Sequence, residues 1–116
     1  GVFMPGPTLI ARGNISLEMI LQVSLAPNNG SSIAANTSVE NTYTIPGIQV
    51  GDFLEINKPT HTTGLTVGNI RASAANTVAI QWCNVTTGTI TQAAENYLIS
   101  VTRYELGVNA PSGISP

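Results

Sequence analysis

Val50–Pro59 (VGDFLEINKP), Gly64–Thr89 (GLTVGNIRASAANTVAIQWCNVTTGT) and Tyr97–Glu105 (YLISVTRYE) form one continuous block that reads as strand, turn and strand. Side chains on a strand alternate between its two faces, so an apolar/polar alternation marks a half-buried strand. Phe53 to Asn57 is one such run, ended by Pro59, which has no N–H to give to a ladder. Leu65 to Ser73 is the next. Ala74-Ala75-Asn76 is too short to do anything but reverse the chain, and Asn tolerates a left-handed backbone. Thr77 to Asn84 then returns as the second arm of an antiparallel hairpin, with Val78, Ile80 and Trp82 on one face and Ala79, Gln81 and Cys83 on the other. Asn96 to Tyr104 closes the block, with Tyr97, Ile99 and Val101 set against Leu98, Ser100 and Thr102.

The same alternation continues toward the N-terminus. Ile15, Leu17, Met19, Leu21, Val23 and Leu25 point one way, and Ser16, Glu18, Ile20, Gln22 and Ser24 the other. That predicts a long strand over 15–25, with a short helix as the rival because Leu, Glu, Met and Gln are good helix formers. Pro27-Asn28-Asn29-Gly30 is a turn. Ser38 to Ile45 is a further strand, stopped by Pro46-Gly47. Ile90 to Glu95 is ambiguous, since Gln92, Ala93, Ala94 and Glu95 suit one helical turn. Six strands with turns every 8 to 12 residues predict an all-β, single-domain antiparallel β-sandwich or a jelly-roll-like barrel. The expected core is Leu17, Met19, Leu21, Val23, Val39, Tyr43, Leu54, Ile56, Leu65, Val67, Val78, Ile80, Trp82, Ile99 and Val101.

The domain organisation follows: an N-terminal arm over 1–14, the β domain over 15–105 and a Pro/Gly/Ser-rich C-terminal tail over 106–116. The arm carries Val2, Phe3, Met4, Leu9 and Ile10, more apolar residues than a purely solvated tail holds. At 116 residues the chain suits one domain with a core that needs no disulfide.

Charge is scarce. Asp, Glu, Lys and Arg make up 9% of the chain, against about 25% in an average globular protein. The net charge is -2 and the apolar content 42%, so this is not the composition of a disordered chain. So few charges give weak self-repulsion and favour association. Arg12, Lys58, Arg71 and Arg103 are the only cations and are scattered, which argues against nucleic acid as a partner. No apolar run approaches the ~20 residues that span a membrane.

Nothing in the chain forms a catalytic or metal-binding pattern. The one cysteine, Cys83, is read as a buried thiol with no base nearby. The one histidine, His61, lies in a Thr-rich loop. Asp52 and Glu55 are oddly spaced on a strand and face opposite sides, while Glu95 and Glu105 sit at opposite ends of the last strand. No cofactor site is expected. Arg71 and Arg103 lie on strands beside apolar neighbours and are expected to snorkel or to pair within the chain with Glu18, Asp52 or Glu55, the rival being a specificity element at a subunit contact. Asn14, Asn29, Asn36 and Asn84 each begin an N-x-[ST] triplet, which in so Asn/Thr-rich a chain carries little weight.

The stretches VENTYTIPGIQVGDFLEINKP (39–59), GLTVGNIRASAANTVAIQWCNVTTGTIT (64–91) and YLISVTR (97–103) resemble small β proteins of tailed-bacteriophage virions. The resemblance covers over half the chain, and its Thr/Asn-rich turn grammar is shared by many viral β proteins. It implies a capsid decoration (cement) subunit: made in the host cytoplasm, located at the capsid surface of the virion, bound to the major capsid protein, self-associating as a dimer or trimer, and not an enzyme. On that reading the arms bridge neighbouring shell subunits, through Val2, Phe3, Met4, Leu9, Ile10, Arg12, Val108 and Ile114. The alternative is a head-fibre or tail-associated module that binds a receptor or carbohydrate, with Trp82, Tyr97 and Tyr104 as the candidate aromatics.

Overall fold

The computed structural model describes residues 15–105, and within them the chain is all-β. The strands are β1 (Ile15–Leu25), β2 (Thr37–Thr44), β3 (Phe53–Asn57), β4 (Leu65–Ala74), β5 (Thr77–Asn84) and β6 (Glu95–Tyr104). They form two antiparallel sheets, β1-β6-β3 and β2-β5-β4. The inner faces of the two sheets share one apolar cluster, so the architecture is a β-sandwich. The arm and tail expected over 1–14 and 106–116 lie outside the described residues.

Each sheet is built around its most apolar strand. β5 is central in one, with Val78, Ile80 and Trp82 fully buried, and β6 is central in the other, with Tyr97, Ile99 and Val101 buried. The rings of Trp82 and Tyr97 meet edge to face across the sandwich, with centroids 5.6 Å apart. Trp82 Nε1 donates to Tyr43 Oη at 3.1 Å, and Tyr43 Oη donates to the Ala26 carbonyl at 2.8 Å. The buried indole is thereby satisfied at the end of a relay that also fixes the turn after β1.

That turn, Pro27–Gly30, is irregular, with Asn28 (φ 52°) and Asn29 (φ 54°) both left-handed. Asn carries such a backbone at lower cost than most residues. Ile45, Ile48 and Ile33 come from connections rather than strands, yet all are buried. Ile33 forms an antiparallel bridge with Ile90. The β1–β2 and β5–β6 crossovers are therefore stitched together, and residues 91–94 have no regular structure instead of forming the helical turn considered above.

Asn84, at the end of β5, holds this junction. It is 1% exposed. The two N–H groups of its Nδ2 serve three carbonyls, Ile33 (3.0 Å), Ala34 (3.2 Å) and Gly88 (2.8 Å), so one N–H is shared, and its Oδ1 accepts from Thr86 N (2.9 Å) and Thr86 Oγ1 (2.7 Å). One amide thus satisfies backbone groups of both crossovers.

Met19 departs from the expected core: it is 44% exposed, although it points inward opposite Val101. β3 and β4 approach along one side of the sandwich, but β1 and β2 make little contact along the other. Ile15, Leu17, Leu21 and Val23 are consequently only half-buried, and burial becomes complete only at Leu25.

The Tyr97 hydroxyl is buried and has no hydrogen-bond partner among the described residues. Burial pushes its pKa up to about 12. An unfolded tyrosine ionises near pH 10, so the folded state retains this proton while the unfolded state loses it. The contribution is intact below about pH 10 and is lost as pH rises toward 12. Tyr97→Phe removes the unsatisfied group and should leave stability unchanged or raise it by about 1 kcal/mol. It should also flatten the alkaline loss, as read from denaturant melts at neutral and alkaline pH.

Candidate interaction surface

The outer face of the β1-β6-β3 sheet is set by register. Glu18, Thr102 and Phe53 form one row, Ile20, Ser100 and Glu55 the next, and Gln22, Leu98 and Asn57 the third. An outward face of an antiparallel sheet is ordinarily polar. Here Ile20 is 70%, Phe53 62% and Leu98 42% exposed. Ile20 and Leu98 are diagonal neighbours, and together with Glu55, Asn57 and Ser100 they line a shallow depression of about 400 Å³. These rows hold two carboxylates and no cation. Ile20, Phe53 and Leu98 are thus large apolar side chains exposed at positions where an outward sheet face is ordinarily polar.

The remaining charges are largely consumed in fixing loops. Arg103 on β6 grips Asp52 with two hydrogen bonds, Nε to Oδ1 at 2.8 Å and Nη2 to Oδ2 at 2.9 Å, and also donates to the Gly47 carbonyl at 2.9 Å. The Asp52 side chain is 1% exposed and also accepts from Gln49 N at 2.9 Å. The Arg103 hydrogen bonds, helped by Gln49 N, hold its carboxyl below the ordinary range despite burial. Arg103 is therefore paired within the chain, with one of its expected partners, and the ion pair clamps the β2–β3 loop.

Arg71 differs. It pairs with Glu40 on β2, Nε to Oε2 at 3.0 Å and Nη2 to Oε1 at 2.8 Å, rather than with Glu18, Asp52 or Glu55. β2 and β4 flank β5, so the pair spans the central strand, where Ala79 lies opposite Arg71 and is fully buried. The Arg71 hydrogen bonds lower the Glu40 pKa.

At the far end, Lys58 Nζ donates to Glu95 Oε1 at 2.9 Å, to the Thr60 carbonyl at 3.0 Å and to Thr60 Oγ1 at 3.1 Å. Thr60 Oγ1 donates to Glu95 Oε2. The Thr60 and Lys58 hydrogen bonds lower the Glu95 pKa. This cluster ties the β3–β4 loop to the start of β6.

His61 is exposed in the same loop. Cys83 is half-buried, less enclosed than expected, because it lies on the outer face of its sheet beside Gly68. Among the described residues no three His, Cys, Asp or Glu side chains gather to hold a metal ion. Of the aromatics considered for carbohydrate binding, Trp82 and Tyr97 are fully buried and Tyr104 is 46% exposed. Val2, Phe3, Met4, Leu9, Ile10, Arg12, Val108 and Ile114, the expected partner-binding residues, lie outside the described residues. The face formed by Ile20, Phe53 and Leu98 is an addition to that expectation. Its signal in the sequence is apolar residues at positions that the alternation assigns to the outside.

Residues 15–105 thus form a β-sandwich with exposed apolar side chains on the outer face of its β1-β6-β3 sheet. No family model, no curated protein and no solved structure matches this chain.

Proposed function

We propose that this chain is a structural subunit of a virion, a capsid decoration (cement) protein that binds the major capsid protein and bridges neighbouring shell subunits. The observation that carries the reading is the exposed Ile20/Phe53/Leu98 face on a protein with 9% charged residues. A decoration subunit needs a surface that gains by being covered, and specific contacts of this kind bury about 1,200–2,000 Å². The resemblance of residues 39–103 to small β proteins of tailed-phage virions supplies the partner. The ion pairs at Asp52, Glu95 and Glu40 support a structural over a catalytic role, since each holds a carboxylate in place. The alternative, a head-fibre or tail-associated carbohydrate-binding module, has two of its three candidate aromatics buried.

The test is co-sedimentation of the purified chain with shells of the phage that carries it. Phe53→Glu and Leu98→Glu, both at exposed positions, should each weaken shell binding at least about tenfold, since burying a charge in a contact costs more than 1.4 kcal/mol. Their melting temperatures should match that of the parent. Unchanged binding by both variants would overturn the role given to this face.

A further inference from the structure

We infer that β1 is a self-association edge: two copies of this chain pair β1 with β1 antiparallel about a two-fold axis at Ile20, joining their β1-β6-β3 sheets into one continuous sheet. The inference concerns the isolated chain and stands independently of the shell reading.

Three observations converge on it. First, β1 has a backbone partner on one side alone, β6, so among the described residues the N–H and C=O groups of its other side meet no partner. Natural sheets blunt such edges with short strands, bulges, charges or proline. The other edges here are blunted. β3 has 5 residues and ends before Pro59, β4 is broken by two register shifts, and β2 has 8 mostly polar residues. β1 has 11 residues, a single charge at Glu18 and no proline, and its one irregularity falls at its very start.

Second, the inner row of β1 is unfinished. Met19 is 44% exposed, and Leu17, Leu21 and Val23 are half-buried at the open side of the sandwich. A strand added at this edge would bring a second inner row alongside and extend the core.

Third, β1 is complementary to itself. A two-fold axis normal to the sheet keeps inner residues with inner and outer with outer. With the axis at Ile20, all eleven residues pair. Ile15 meets Leu25 of the second copy, Leu17 meets Val23, and Met19 meets Leu21, each apolar on apolar. Glu18 meets Gln22, a carboxylate opposite an amide donor, and Ser16 meets Ser24. Ile20, 70% exposed in the single chain, meets its own copy. An axis two residues away would leave four residues unpaired, and one at Glu18 would set two carboxylates face to face. This complementarity selects a second copy over an unrelated strand.

The test is sedimentation equilibrium of the full chain at concentrations well above ~10 µM, combined with disulfide trapping. The parent should sediment at twice its 12.1 kDa chain mass. Ile20→Lys sets two ammonium groups opposite each other on the axis and should sediment at the single-chain mass, with a cooperative melt whose temperature, unlike the parent's, does not rise with chain concentration. Opposed residues of an antiparallel pair have Cα atoms about 4.5–5.5 Å apart, within disulfide range. Ile20→Cys should therefore form a covalent dimer on mild oxidation. Gln22→Cys alone should not, but should do so when mixed with Glu18→Cys. The parent, whose Cys83 lies in the other sheet, is the blank. A parent of single-chain mass would overturn the inference. So would an assembly that survives Ile20→Lys while Ile20→Cys stays unlinked, a result that places the contact on another surface or in a trimer.

Discussion

Trp82→Ala should cost about 4–5 kcal/mol of folding stability, the upper part of the range for emptying an aromatic site in a core. Trp82 is fully buried at the centre of β5 and packs edge to face on Tyr97 of the opposite sheet. Its removal opens a cavity between the two central strands, where the surrounding β backbone has little freedom to collapse. It also leaves Tyr43 Oη without its indole donor, although the bond to the Ala26 carbonyl remains. Domains of this size are stable by about 5–15 kcal/mol, so the variant should be close to unfolded at 37 °C. Urea titration followed by far-UV circular dichroism measures it, since the only tryptophan is gone. Trp82→Phe retains much of the volume and should lose less than half as much. A loss under about 1.5 kcal/mol for Trp82→Ala would mean that the two sheets are not held by this contact.

Asn84→Ala should be nearly as damaging for a different reason. The side chain is nearly inaccessible and supplies every hydrogen bond that its amide reaches: three carbonyls on one side and two Thr86 donors on the other. Ile33 O keeps Ile90 N and Gly88 O keeps Thr86 Oγ1 as donors, while each buried group left unpaired costs about 1–3 kcal/mol. Part of that is recovered by relaxation, leaving a net loss of about 3–4 kcal/mol, or a fall in Tm on the order of 15–25 °C. Asn84→Asp should be worse at neutral pH, because a carboxylate oxygen would face the carbonyls of Ile33, Ala34 and Gly88. That repulsion raises the folded-state pKa of the new acid above its unfolded value. The variant should then be most stable at low pH and lose stability as pH rises. Thermal melts at pH 4 and pH 7 check the sign. An Asn84→Asp chain that melts like the parent at both would remove this residue from its role at the junction.

The strands were legible because each obeys one simple rule. β3 and β5 begin and end where alternation and turn residues put them, and β1, the longest, does so despite its helix-forming composition. Alternation assigns faces, though, and does not say what covers a face. Met19 lies on the inner row and is still exposed, because the two sheets separate along that side. Tyr97 shares a row with Ile99 and Val101, and its burial is the plain consequence of β6 being central. Ile33 and Ile48 were not legible as core, since they belong to connections that become buried only when the crossovers fold over the sandwich ends, while Ile45, the last residue of the strand expected over 38–45, lies just past the end of β2 and is buried there. Asn84 and the Arg71–Glu40 pair depend on which strands become neighbours, and no local pattern contains that order. The Ile20/Phe53/Leu98 face was half visible: Ile20 and Leu98 occupy outward positions in the alternation, but Phe53 joins them only through the β3–β6 pairing.

If this chain is a shell component, as proposed above, its copy number in purified particles from its source is near stoichiometric with the major capsid protein. Quantitative mass spectrometry against that protein measures the ratio. A few copies per particle, or none, would rule the role out.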